Sequence, residues 1–254
     1  MQKCVALKSV SAGYSENVVL RDVNLVVYEN DFLGVIGPNG GGKTTLLRVI
    51  LGMISPLKGT VEFSNGSQSR RGIRIGYLPQ MKLFDAKFPI SVLDVVLSGL
   101  ACDVGIWRRF SKADERRAEE ILDLMGIHDL RKKAVGELSG GQMQRVFLSR
   151  AIVASPKLLL LDEPSTFVDK GFEVGLYEIL KELNKELAVV LVSHDIGMIS
   201  SYVKNIACVH GSLHYHDSNE ITEELLEEYR CPIDLITHGT IPHRVLKRHG
   251  EEDA

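Results

Sequence analysis

Phe32-Leu33-Gly34-Val35-Ile36-Gly37-Pro38-Asn39-Gly40-Gly41-Gly42-Lys43-Thr44-Thr45-Leu46-Leu47-Arg48-Val49-Ile50-Leu51 reads as a short β-rich run, a glycine cluster and a breaker-free stretch of helical length. Gly37 to Thr44 fits G-x-x-x-x-G-K-[ST], in the strand-loop-helix context that this motif requires. Glycines let backbone N–H groups converge on phosphate oxygens with no Cβ in the way, and the following helix points its positive end at the same anion. Lys43 can reach β- and γ-phosphates, and the Thr44 hydroxyl can ligate Mg²⁺. The candidate phosphate-binding residues are therefore Gly37, Asn39, Gly40, Gly42, Lys43, Thr44 and Thr45. A merely flexible turn would not demand Lys-Thr next.

Downstream, Leu158-Leu159-Leu160-Leu161-Asp162-Glu163 is an apolar strand ending in two carboxylates. Asp162 can hold a Mg²⁺ water shell and Glu163 can orient a water for in-line attack, although a hydrophobic strand ending in a solvated acidic turn has the same appearance. Beside the phosphate loop the pair makes a hydrolysis site. Val189 to Val192 is a second doubly buried run, and Phe172 to Lys185 between the two has helical character, which predicts a parallel sheet with helical crossovers.

Before Asp31, alternating positions such as Val5, Leu7 and Val10, then Val23, Leu25 and Val27, predict an antiparallel β layer. Thr60 to Phe63 and Ile73 to Leu78 are further strand candidates, and Ser91 to Ala154 turns helical. The fold class expected is α/β: a P-loop nucleotide-binding core with an antiparallel β layer and an inserted helical lobe. We divide the chain into residues 1–217, with the lobe at about 85–154, and a C-terminal extension at 218–254; the last part, from Asn205, gives two short strands and then an acidic helix around Thr222 to Tyr229.

The 254 residues are 44% hydrophobic, 25% charged and 6% aromatic, which excludes a fibre, a coiled coil or a disordered tail. Thirty basic and 33 acidic residues leave a net charge of -3, so no global positive field draws the chain to nucleic acid. Cys4, Cys102, Cys208 and Cys231 stand apart with no C-x-x-C pair, as expected of reduced thiols. Neither a secretory h-region nor an apolar run near the roughly 20 residues of a membrane span is visible.

Leu138-Ser139-Gly140-Gly141-Gln142, ahead of the helical segment Gln142 to Val153, supplies a second anion site at a helix N-terminus. With the phosphate loop and the Asp162-Glu163 strand it resembles the ATP-binding-cassette (ABC) ATPases, in the family's motif order over Val5 to Gly211. The resemblance implies two cassettes paired head to tail, with Ser139, Gly140, Gly141 and Gln142 of one closing over ATP held by the other. It further implies that Tyr14 stacks on adenine and that Gln80 reaches the Mg²⁺ and the attacking water. His194 becomes the switch histidine facing the γ-phosphate, and Asp169 the loop aspartate at the cassette interface. Catalytic candidates are Glu163, His194 and Gln80, with Thr44, Gln80 and Asp162 around the Mg²⁺. Two departures stand out. Gly41 replaces a frequent Ser or Ala, predicting a more flexible loop, and Phe167 replaces a residue that is commonly small.

A single cassette without a membrane span resembles the separate energising subunit of an importer. That implies a transmembrane permease partner, a second copy of the cassette, indirectly a periplasmic or surface solute-binding protein, and a peripheral place on the cytoplasmic face of the membrane. Lys82, Phe84 and Lys87, near Phe88 to Val96, are candidates for the permease surface. The wording of Ile221 to Leu226, Cys231 to Leu235 and His238-Gly239 is similar to cassettes of zinc and manganese importers. Alternatives are an iron-chelate cargo or a soluble, non-transport cassette ATPase. A P-loop kinase would leave Leu138 to Gln142 and His194 without a role. His214-Tyr215-His216 puts two imidazoles on one strand face, as a Zn²⁺ pair or simply as a solvated strand.

Overall fold

The computed structural model describes residues 2–15, 17–64, 73–80, 89–101, 109–164, 170–219, 235–237 and 242–244. β1 (Lys3–Tyr14) and β2 (Asn17–Tyr28) form an antiparallel hairpin, and β4 (Lys58–Phe63) pairs with the other edge of β1. The register slips several times along the hairpin, and Ser9 and Asp22 take left-handed φ values of 48° and 49°. Such bulges twist the layer and explain why its apolar alternation is imperfect.

The main sheet has the order β5 (Ile75–Leu78), β6 (Leu158–Asp162), β7 (Ala188–Val192), β3 (Phe32–Ile36), β8 (Asn205–His210) and β9 (Ser212–His216). Every neighbouring pair is parallel except β8 with β9. Every residue of β3, β6 and β7 is buried, because both faces are covered. Leu158 and Leu160 face one cluster, shared with α1 (Lys43–Ile50) and the antiparallel layer, whereas Leu159 and Leu161 face a second cluster built with the remaining helices. Thus α1 lies between the two sheets.

Among the described residues the helical lobe contains α2 (Val92–Leu97), α3 (Lys112–Leu124) and α4 (Gly140–Ile152), with short 3-10 turns at Ser98–Leu100, His128–Leu130 and Val135–Glu137. α2 packs on both α3 and α4, burying Val92, Val96, Ala118, Leu122, Val146 and Leu148. Reciprocal capping boxes start two of these helices, Ser111 with Asp114 and Ser139 with Gln142. α5 (Lys170–Leu183) and α6 (Ile196–Tyr202) follow in the core, joined by the stacked rings of Tyr177 and Tyr202 with centroids 4.8 Å apart.

Three details depart from expectation. β5 starts at Ile75 rather than Ile73, and β4 already at Lys58. α6 was not anticipated, since seven residues containing Gly197 carry too little periodicity to register. In the C-terminal extension a small hairpin, β10 (Leu235–Thr237) with β11 (Pro242–Arg244), appears where the sequence shows no period; the expected acidic helix around Thr222 lies outside the described residues. Cys4 and Cys208 are buried and neither is in a disulfide, while Cys102 and Cys231 lie outside the described residues. Among the described residues no helix is long and apolar enough to cross a membrane.

Candidate nucleotide site

The loop between β3 and α1 lines a cleft of about 510 Å³ with Asn39, Gly40, Gly41, Gly42, Lys43, Thr44 and Thr45, opposite Tyr14, Val19, Gln80 and Glu163. α1 begins with no side chain capping it, Gly42 standing at the N-cap in a left-handed conformation of φ 108°. The first helical N–H groups therefore face an anion site rather than a capping oxygen. Lys43, 6% exposed, folds back over the loop and its Nζ donates to the carbonyls of Gly37 at 2.9 Å and Pro38 at 3.0 Å.

Gly41, expected to loosen the loop, is hydrogen-bonded at both of its backbone polar groups. Its N–H donates to Pro38 O at 3.0 Å, and its own carbonyl accepts from Gly211 N at 3.0 Å. A Cβ on Gly41 would stand 2.6 Å from Val209 O, a backbone atom that cannot swing aside. Glycine is here because Val209, near the end of β8, presses on the loop, and the Gly211 hydrogen bond from the turn that follows ties the loop in place.

At the end of β6, Asp162 is 3% exposed and its Oδ1 accepts from Thr44 Oγ1 at 3.2 Å. Burial pushes the Asp162 carboxyl above the usual carboxylate range. The Thr44 hydrogen bond opposes this, the Glu163 charge adds to it, and the charges of Arg48 and Lys43 pull it down. Hydroxyl and carboxylate side by side form an all-oxygen donor set, the chemistry a hard cation such as Mg²⁺ prefers. The residues present fit that ion.

Glu163 holds a left-handed φ of 49°, and its N–H continues the ladder to Val192 O at 3.0 Å. This conformation is costly for a non-glycine residue and turns the carboxylate off the strand into the cleft. Gln80 Nε2 donates to Glu163 Oε2 at 2.8 Å, and His194 Nδ1 lies 3.7 Å from the same oxygen. His194 is exposed just past β7, next to β6 in the sheet, so neighbouring strand ends deliver the histidine and the carboxylate together.

Tyr14, at the end of β1, is 43% exposed and its hydroxyl accepts from Arg48 Nη1 at 2.8 Å. The sequence reading missed Arg48; its signal is a basic residue in the last turn of the helix that Lys43 begins.

The structure thus gathers Tyr14, the loop, Gln80, Asp162, Glu163 and His194. Ser139 to Gln142 do not line the cleft. They sit at the N-terminus of α4 on the helical lobe, with Ser139 and Gly140 exposed. Ser139 Oγ accepts from Gln142 N at 3.3 Å, and Gln142 Oε1 accepts from Ser139 N at 3.1 Å. Asp169, Phe167, Lys82, Phe84 and Lys87 lie outside the described residues. His214 pairs across the hairpin with Cys208 and His216 with Ile206, and among the described residues no three His, Cys, Asp or Glu side chains converge to hold a metal.

The profile of the ABC transporter family matches residues 20–166. The manganese transport system ATP-binding protein MntB of Bacillus subtilis is 39% identical over 81% of this chain and 83% of its own. The high-affinity zinc uptake system ATP-binding protein ZnuC of the same organism is 37% identical over 80% and 89%. Among solved structures, a chain of an inward-facing ABC transporter superposes with a TM-score of 0.84 at 26% identity, over 96% of this chain and 97% of that one. Profile, relatives and fold agree, and the chain belongs to the ABC transporter family as one of its ATPase cassettes.

Proposed function

We propose that this chain is the ATP-hydrolysing subunit that drives uptake of a metal ion, zinc or manganese, through a separate membrane permease. The observation that carries the hydrolytic reading is the convergence of Gln80 and His194 on Glu163, beside the Thr44–Asp162 pair and the Lys43 loop in one cleft. The metal cargo is supported by the likeness to the zinc and manganese transport proteins.

Lys43 and the first N–H groups of α1 bind the β- and γ-phosphates, with Gly37, Asn39, Gly40, Gly42 and Thr45 shaping the loop around them. Tyr14 offers its ring to the base. Thr44 and Asp162, with Gln80, hold Mg²⁺, which when bound neutralises phosphate charge. Glu163 orients the attacking water and takes its proton, while His194 faces the γ-phosphate. Gln80 holds the Glu163 carboxylate at the water position.

Ser139, Gly140, Gly141 and Gln142 do not line this chain's own cleft, and in the pairing implied by the family they close over the nucleotide of a second copy, with Asp169 at the interface. Closure moves the permease and hydrolysis resets it. The subunit works from the cytoplasmic face of the membrane, and a solute-binding protein delivers the cargo on the other side.

The test is cellular zinc and manganese content, by elemental mass spectrometry, in cells lacking this chain and resupplied with it or with Lys43→Ala. Restoration of either metal by the unaltered chain alone is the expected outcome. Unchanged content of both metals in its absence overturns the cargo assignment.

A further inference from the structure

We infer that Arg48 is a positioning residue for the nucleotide base, holding the Tyr14 ring as a platform and thereby setting the base-dependent share of nucleotide affinity. This rests on the proposed role of Tyr14.

Tyr14 is the last residue of β1, flanked by Ser15 with a left-handed φ of 50°, and it is 43% exposed. Little packing fixes such a ring. The contact that does so is Arg48 Nη1 donating to the phenol oxygen at 2.8 Å. The guanidinium carbon also stands over the ring, 6.0 Å from its centroid at the outer limit for a cation–π contact, so Arg48 holds the hydroxyl and one face, and the opposite face is the one a base would take. An aromatic side chain held in one orientation before binding loses less rotamer freedom when the base arrives.

Lys43 and Arg48 belong to the same helix, which separates them by about 7.5 Å along its axis at 1.5 Å per residue. α1 therefore relates the phosphate anchor to the base platform as one rigid element. A last-turn arginine also offsets the negative end of the helix dipole, but that effect needs no partner on β1 and would not depend on the base.

The experiment is calorimetric binding of ATP and of inorganic tripolyphosphate to the full chain, comparing Arg48→Met, which keeps the apolar stem, with Arg48→Lys, Tyr14→Ala and the Tyr14→Ala/Arg48→Met pair. Arg48→Met is expected to weaken ATP by about three- to tenfold while tripolyphosphate changes by less than about twofold. Arg48→Lys recovers part of the loss, and the pair binds ATP no worse than Tyr14→Ala alone. Parallel loss for both ligands, or an additive loss in the pair, overturns the assignment. If Tyr14→Ala lowers ATP affinity relative to tripolyphosphate and Arg48→Met does not, only the role of Arg48 fails. If Tyr14→Ala leaves that ratio unchanged, the platform itself is refuted and Arg48 with it.

Discussion

Gln80 donates to the Glu163 carboxylate at 2.8 Å, so a residue two positions beyond β5 and the one that turns off β6 are fixed to each other at the cleft. Glu163→Gln keeps the shape of this contact but loses a proton acceptor. ATP hydrolysis is expected to fall by about 10²- to 10⁴-fold while the dissociation constant for ATP stays within about threefold. Phosphate release and calorimetry measure the two; near-normal turnover refutes the role of Glu163.

Ser139 caps α4 and, in the proposed dimer, faces the nucleotide of a second copy; one substitution can separate the two. Aspartate caps a helix as well as serine does, but it puts a negative charge where the second copy's nucleotide would approach. In a Glu163→Gln background, Ser139→Asp is expected to keep the thermal midpoint within about 2 °C and to abolish the ATP-dependent dimer seen by size exclusion. A dimer that persists would show that Ser139 serves only its own helix.

Gly41 cannot take a serine without moving Val209 O, 2.6 Å from the position of a Cβ. Gly41→Ser should destabilise the chain by about 1–3 kcal/mol, read from urea unfolding. An unchanged or raised midpoint would mean that the β8–β9 turn yields freely.

Cys4 is 1% exposed, and burial, with the charges of Glu29 and Asp31 adding and that of Lys157 opposing, raises its thiol from 9.0 to about 11. The unfolded chain releases this proton first, so the stability contributed is complete below pH 9 and is lost as pH rises towards 11. The slope is roughly 1.4 kcal/mol per pH unit within that window. Cys4→Ala should have a flatter pH–stability curve there, read as urea midpoints; identical slopes would contradict the shift.

Much of this was legible beforehand because the signals are local. Leu158 to Leu161 and Val189 to Val192 are continuous apolar runs that only a sheet covered on both faces accommodates, and Gly37 to Thr44 states its ligand chemistry in consecutive residues. What escaped depends on residues distant in the chain. The brace on Gly41 comes from Val209 and Gly211, and the Arg48–Tyr14 bond joins a helix to a strand end through a twist that no periodicity encodes. The two readings of His214 and His216 depend on distant residues in the same way: a shared strand face brings the pair together, and among the described residues no third donor joins them.

β3 pairs on one side with residues beginning at Val189 and on the other with residues beginning at Asn205, and its loop is tied through Gly41 to Gly211, whose own carbonyl accepts from Arg21 N at 2.7 Å. Early parts of the chain thus wait for late ones. During synthesis the antiparallel layer can assemble as soon as β4 emerges, but the phosphate loop gains its walls only after β7, β8 and the turn behind them have been made. Nucleotide binding is accordingly a late event in the birth of this protein, and a chain stalled before Asn205 would carry the whole loop sequence without the site.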